Sequence, residues 1–338
     1  MMKIKNLKLK IVEKFKIFAP ISLAIILIGA ILMIAIGLNV GIDFGGGATV
    51  SIDLGATITN KQELKDDVVD ELTKFIEGEG FEIGSTRWSG DDEVIEFGLK
   101  YTLNGEKVDA SSEEAQEAFL DKINGQEGLK YKLVDVILAI DSDFDVTADN
   151  ISETIVSGST SRKLLSNAIW ATAIAVVVML IYIGFRFTLA SGIAAVIALT
   201  HDVLIMLALT TIFRVQVNTT FIAAIITIVG YSINATIVIF DRIREVKGLD
   251  SMKEESNAAI ANKAIVDTLG RSILTTLTTL ATIVVLAIVC AVTGLSTMSE
   301  FALPIVFGLI AGAYSSVLLS APIWVHLCKI GDKIKAKK

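Results

Sequence analysis

The sequence predicts an α-helical membrane protein of six transmembrane helices, with a ferredoxin-like α+β domain between helices 1 and 2 on the outer side of the membrane. Three observations predict it. Hydrophobic residues make up 53% of the 338 positions and charged ones only 20%, with a mean hydropathy of +0.65, a balance more apolar than that of soluble chains. Six stretches reach the roughly 20 apolar residues that crossing a bilayer requires. The net charge of −7 divides by segment: residues 39–163 hold 27 acidic and 11 basic residues, and the remainder holds 10 acidic and 19 basic. Such a split describes two environments and excludes a soluble enzyme.

The expected boundaries follow from this division. A basic N-terminus (1–16) precedes the first helix (17–42), the outer domain covers 43–163, helices 2 to 6 lie within 164–328, and a basic tail (329–338) closes the chain. Ile17–Ile42 and Leu164–Phe185 carry no charge, and Phe187–Phe213 carries only His201 and Asp202. Val215–Phe240, Ser272–Ser299 and Phe301–Cys328 complete the set. The first apolar run is longer than the 7–15 residues typical of a signal peptide, so it is expected to be retained.

Lys and Arg near helix ends set the orientation. Lys3, Lys5, Lys8, Lys10, Lys14 and Lys16 place the N-terminus in the cytoplasm. Arg242, Arg244, Lys247, Lys253 and Lys263 do the same for the loop after helix 4, as do Lys329, Lys333, Lys335, Lys337 and Lys338 for the tail. The acidic domain then lies outside. Cys290 and Cys328 lie in or beside apolar stretches and the acidic domain has no cysteine, which excludes a disulfide framework there. The basic residues are explained by topology, and no nucleic-acid partner is expected.

Within the outer domain, Ala48, Val50, Ile52 and Leu54 alternate with polar residues, as in a half-buried strand. Asn60 and Glu63 form a capping pattern before a helix through Leu64, Val68, Leu72 and Phe75. Phe81–Trp88 and Val94–Tyr101 read as strands around a Gly90–Asp91 turn. Ser111 and Glu114 cap a second helix reaching about Ile123, and a strand is expected near Lys130–Ile137. The order is β-α-β-β-α-β, which is ferredoxin-like.

Polar groups within the spans are the candidate functional residues, because an ionisable group in the bilayer is costly and faces a partner or water. His201 and Asp202 lie mid-span, about 100° apart around the helix axis, and read either as an ion relay or as a structural pair. Thr227, Asn234 and Asp241 recur every seven residues on one face of helix 4. Asn234 reads as a relay member or an interhelical hydrogen bond, and Asp241 as a surface ion pair beside Arg242 and Arg244. In helix 5, Arg271, Thr275, Thr279 and Thr282 form a polar stripe, either functional or self-satisfied on their own helix carbonyls. Gly308 and Gly312 form a GxxxG pattern. Ser191, Ser232 and His201 lack a spacing that pairs a serine with a base. No catalytic residue, metal or cofactor is expected.

These residues resemble the SecF branch of the SecD/SecF family. Gly41-Ile42-Asp43-Phe44-Gly45-Gly46-Gly47 is similar to the motif opening that family's outer domain. Arg186-Phe187 with His201-Asp202-Val203 resembles its second and third helices. Gly230-Tyr231-Ser232-Ile233-Asn234 and Phe240-Asp241-Arg242-Ile243-Arg244-Glu245 resemble the fourth, and Arg271-Ser272 the fifth. The resemblance runs from about Ile17 to Leu327. It implies a six-helix half related to the RND exporters, in a prokaryotic cytoplasmic membrane. Its implied partners are a SecD-like subunit, the Sec channel (SecY, SecE, SecG), unfolded preprotein and the lipid bilayer. It also implies preprotein export assisted by a proton or sodium gradient, with no covalent step. An RND-type half-transporter for small molecules or lipids, or a passive scaffold for the channel, are the alternatives.

Two departures stand out. The family pattern Asn-Asp-Thr reads Asn234-Ala235-Thr236 here, so the aspartate it assigns to ion coupling is missing. Ser157-Gly158-Ser159-Thr160 lacks the family's Gly-Pro pairing. Three consecutive glycines at 45–47 suit a hinge or a flexible connector.

Overall fold

The computed structural model describes residues 10–54, 62–89, 94–110, 112–141, 144, 146–292 and 296–335. The expected cap at Asn60, the Gly90–Asp91 turn, Ser111 and several terminal lysines lie outside them. Helix α1 (Phe15–Ile36) leads to a helical turn α2 (Ile42–Gly45) and then to an α+β unit. That unit runs β1 (Gly47–Asp53), α3 (Gln62–Gly78), β2 (Phe81–Ser89), β3 (Val94–Leu103), β4 (Glu106–Lys107), α4 (Glu113–Asn124), α5 (Leu129–Ile140) and β5 (Ile151–Val156). The chain continues through α6 (Gly158–Arg186), α7 (Leu189–Ile212), α8 (Thr219–Lys247) and α9 (Asn257–Val292). Helix α10 (Ser296–Ser315) passes through a π-helical turn (Ser316–Ser320) into α11 (Ala321–Lys335).

Six spans are long and apolar enough to cross a membrane, as for a multi-pass membrane protein: α1, α6, α7, α8, α9 and the continuous α10–α11. Helices α7, α8 and α10–α11 form the buried centre, and α1, α6 and α9 pack around it with most of their surface exposed. The starts of three spans are capped by side chains. Ser157 Oγ accepts from Thr160 N, Thr188 Oγ1 from Ser191 N, and Asn218 Oδ1 from Phe221 N, satisfying N–H groups that lipid could not. Ser157–Thr160 is therefore the cap and first turn of α6, which begins six residues before its apolar run.

In the α+β unit the sheet order is β2-β3-β1-β5, with every pairing antiparallel and β4 hydrogen-bonded to the end of β3. Ala48, Val50, Ile52 and Leu54 are fully buried, as their alternation requires, against Ile95, Phe97 and Leu99 of β3 and Val68, Leu72 and Ile76 of α3. The strand expected near Lys130–Ile137 is a helix instead. In α5, Leu129, Leu133 and Ile137 recur at four-residue steps and all three are buried, so the helical period wins over a short run that also alternates. The strand beside β1 is β5, reached through a capping box in which Thr147 and Asn150 bond each other reciprocally.

The connector after α1 is tied down. Arg214 Nη1 donates to Gly37 O, Val217 N to Asn39 O and Gly41 N to Val217 O. Gly46 has φ +77°, and a Cβ on Gly47 would meet the Leu99 carbonyl oxygen at 2.1 Å. These two glycines serve a sharp turn and a close strand approach rather than a flexible tether.

The α+β unit also meets the bundle through Arg87 of β2, 3.5 Å from Glu300 of α10, whose carboxylate accepts from Asn218 Nδ2 at 2.5 Å. Gln216 Nε2 donates to Gly84 O. With both side chains of the ion pair mostly buried, Arg87→Ala and Glu300→Gln are each expected to lower stability by about 2 kcal/mol, between an exposed and a fully buried pair. The double mutant should cost less than the sum, read as thermal midpoints in a double-mutant cycle. Strict additivity would show that the pair does not couple the two units.

Candidate functional site

Asp202 lies in the middle of α7 with its side chain fully buried. Three donors from three helices converge on it. His201 Nδ1, from the same helix, lies 2.9 Å from Oδ1; Ser232 of α8 donates to Oδ2, and Ser315 of α10 donates to Oδ2 at 2.8 Å. With the carboxylate ionised, Nδ1 is the donor of the His201 bond. Hydrogen bonds to the charged form offset the cost of a carboxylate inside an apolar bundle. Gly312 borders the group: a Cβ there would make ordinary contacts, 3.5 Å from Ser232 Cβ and 3.6 Å from Asp202 Oδ2.

The sequence brings these groups together through simple repeats. Consecutive His201 and Asp202 differ by about 100° around α7, an angle their side chains close by leaning toward each other. Gly308 lets α10 approach α8, since a Cβ there would meet Ile228 Cγ1 at 2.4 Å, and Gly312 lies against Ser232 one turn on. The His201 ring stacks on Tyr314, with centroids 6.1 Å apart at 15°, and Tyr314 Oη donates to Phe18 O of α1 at 2.6 Å. Directly after Ser315 the helix takes its π turn, inside which Ser320 Oγ donates to Ser316 O. Single π turns recur at functional positions in helices.

The charge on Asp202 controls these contacts. Ionised, the carboxylate accepts all three bonds. Protonated on Oδ2, it carries a donor there, and one of the two hydroxyls bonded to that oxygen must turn away or accept instead. Ser315 has another acceptor at hand, since its Oγ lies 3.4 Å from Gly312 O. A proton on Oδ2 would therefore alter the contacts among α7, α8 and α10.

The other candidates lie elsewhere. Asn234 and Thr227 share a face of α8, as their spacing requires, but it is the exposed face, and Thr227 donates to Ala223 O of its own helix. Arg271 is exposed and lines a depression with Asp241, Arg242, Glu245, Lys263 and Asp267. Asn234 and Arg271 thus do not join the Asp202 cluster. Thr279 and Thr282 donate to carbonyls of their own helix. Asp241 pairs with Arg186 at 3.0 Å and Arg244 at 3.2 Å, and Arg242 with Asp267 at 2.6 Å and Glu245 at 2.7 Å. These pairs link the α6–α7 corner, α8 and α9. Asp43 accepts from Thr219 N and Oγ1, adding a second acceptor at the start of α8, while Phe44 is buried. Gly230 is half-buried beside Tyr231, whose Oη donates to Thr276 Oγ1 of α9. Ser191 bonds Thr188 and Ser232 bonds Asp202, so neither bonds His201.

Sequence reasoning missed Ser315 and Tyr314. Their signal was the Tyr-Ser-Ser run in the middle of an apolar helix, beginning two residues beyond Gly312.

Residues 137–329 match the family described as the C-terminal part of the protein export membrane proteins SecD/SecF. The protein translocase subunit SecF of Petrotoga mobilis is 30% identical over 324 residues, covering 94% of this chain and 95% of that protein. The SecF of Calditerrivibrio nitroreducens is 32% identical, covering 94% and 92%. The protein translocase subunit SecDF of Bacillus subtilis is 31% identical over 93% of this chain, which spans 37% of that longer protein. Among solved structures, the crystal structure of SecDF, a translocon-associated membrane protein, from Thermus thermophilus superposes with a TM-score of 0.68 at 27% identity. The superposition covers 97% of this chain and 40% of that one.

Proposed function

We propose, because this chain belongs to the SecD/SecF family of protein export membrane proteins, that it acts as a SecF-type accessory subunit of a protein translocase and couples an ion gradient to preprotein export through Asp202. One observation carries the coupling step: a fully buried carboxylate whose three hydrogen bonds reach α7, α8 and α10, so that protonating it changes how the helices hold one another. Position 235 holds alanine, which takes up no proton, and Arg271 is exposed on α9. Coupling within this chain then rests on the Asp202–His201 pair.

The remaining parts follow from topology and the family. The basic flanks support cytoplasmic termini and an outer α+β unit. The sheet order β2-β3-β1-β5 supports reading that unit as ferredoxin-like. A SecD-like half covers the exposed sides of the bundle, and the Sec channel and emerging preprotein are the further partners. The work is mechanical, with no covalent step.

The assignment is tested by depletion. Membranes lacking the chain should accumulate late export intermediates that the restored chain clears, and it should co-purify with a SecD-like subunit and the channel. Intact export in its absence would overturn it. Ala235→Asp is expected to assemble normally, because the site is only half-buried, and to alter the gradient dependence of export. Failure to assemble would contradict that placement.

A further inference from the structure

The edge of a sheet presents main-chain N–H and C=O groups that another extended backbone can take up. Natural sheets blunt such edges with bulges, prolines, lysines or covering structure. The two long edges of this sheet differ in that respect. Along β2 the register with β3 shifts between Phe81 and Ile83 and again between Ile83 and Ser85. Gly84 O is taken by Gln216 Nε2, and Arg87 is held by Glu300 of α10. Strand β5 shows none of these devices. Its residues, Ile-Ser-Glu-Thr-Ile-Val, include neither proline nor lysine, and it pairs with β1 in unbroken register from Ile151 to Val156. Among the described residues, the main chain of Ser152–Val156 bonds only to β1. Ser152, Thr154 and Ile155 are exposed.

The strand is well made for pairing. Ile151, Thr154, Ile155 and Val156 are β-branched and suit a pleated backbone. Alternate residues turn their main-chain groups outward, so a segment laid beside β5 meets about three N–H and three C=O groups along roughly 20 Å. Such pairing recognises backbone and leaves the sequence of the added strand open. Glu153 is already engaged, with Asn124 Nδ2 at 2.8 Å and Lys130 Nζ at 4.0 Å, while Ile155, 42% exposed, offers an apolar contact. The excess of acidic over basic residues in 39–163, 27 against 11, disfavours an acidic segment. It equally disfavours a second copy of the same edge.

We propose that the open edge of β5 receives an extended segment of the polypeptide under export, one without net negative charge, as an added strand. The identity of the occupant rests on the translocase role proposed above; the open edge stands on the sheet itself. Because the bonds are to main chain, the segment can advance two residues at a time and keep its side chains on the same faces. Strand β5 runs through Ser157 into α6, and its partner β1 follows α1 through α2. A segment seated on this edge therefore lies against the strand pair that joins the α+β unit to two spans.

The test uses membrane vesicles holding the full chain, its partners and a preprotein arrested in transit, with cysteines along its emerged part. Under mild oxidation, Thr154→Cys should capture the preprotein several-fold more than Glu117→Cys, an exposed position on α4. Aspartates added to the emerged segment should lower that capture several-fold. Glu153→Pro and Thr154→Pro probe the main chain. Neighbouring residues of a strand point their N–H groups to opposite sides, so one variant loses a bond to β1 and the other an outward donor, a loss that edge strands tolerate. Whichever variant keeps the higher thermal midpoint should lower capture through Ser152→Cys several-fold. Equal capture at Glu117→Cys, or undiminished capture by the better-folded proline variant, would overturn the proposal. So would disulfides from Thr154→Cys to a SecD-like subunit or to a second copy in place of the preprotein. Export that stalls on depletion of the chain without any capture would sink the edge docking alone, whereas intact export on depletion would remove the translocase reading beneath it.

Discussion

Asp202→Asn is expected to fold and assemble with its partners and to slow late-stage export about tenfold or more, a barrier change of at least ~1.4 kcal/mol. Asparagine keeps a carbonyl oxygen that accepts from the hydroxyls of Ser232 and Ser315, and its amide N–H donates to Nδ1 once His201 takes the Nε2-protonated tautomer, so the packing of α7 against α8 and α10 survives. It takes up no proton near neutral pH, so the contacts no longer change. Asp202→Leu is a different experiment. It strands two hydroxyls and the His201 Nδ1–H, each worth about 1–3 kcal/mol if left unpaired. Ser315 can turn to Gly312 O, which keeps the total toward the low end. Asp202→Leu should therefore lower thermal stability clearly while Asp202→Asn barely moves it. Equal melting of the two variants would refute the bonding described around the carboxylate. Normal export by Asp202→Asn would refute its role.

Gly47→Val is expected to cost about 3 kcal/mol, the upper end for forcing extra atoms into a packed site. The added Cβ would meet the carbonyl oxygen of Leu99 at 2.1 Å, and that oxygen belongs to β3, which pairs with β1. Relief demands that two strands separate where the outer unit joins the bundle. Gly45→Ala, two residues earlier, is the control, because nothing lies within 4 Å of a Cβ there and its φ is not positive. Thermal unfolding and limited proteolysis of the outer unit should find Gly45→Ala silent and Gly47→Val severely destabilised. Similar stability of the two would show that the glycine run is only a tether.

Much of this architecture could be read from residue order. A bilayer imposes length and apolarity, so six spans stand out, and β1, β2, β3 and α3 follow from clear periods of two and about four. The outer unit failed where signals overlap. Lys130–Ile137 holds β-branched residues in a nearly alternating run, and only burial of Leu129, Leu133 and Ile137 on one side reveals the helix. Strand β5 is six residues of mixed polarity, recognisable mainly by its pairing to β1.

At the site, His201 and Asp202 were legible because charge in a membrane span is costly. Asn234 and Arg271 are polar in two other spans, α8 and α9, yet the helix faces that carry them point outward. Which face turns inward depends on the packing of neighbouring helices, and sequence spacing leaves that open. Ser315 and Tyr314 escaped notice because a serine or tyrosine in an apolar helix is common, and they gain meaning only when α10 lies beside Asp202.

The most direct test of ion coupling at Asp202 compares wild type with Asp202→Asn in membrane vesicles, following late-stage preprotein export as the proton and sodium gradients are collapsed separately. Collapse of the proton gradient should bring wild-type export down to the level of Asp202→Asn, and the variant itself should be insensitive. Export by Asp202→Asn that still falls when the proton gradient is collapsed would place the coupling group elsewhere and contradict the account.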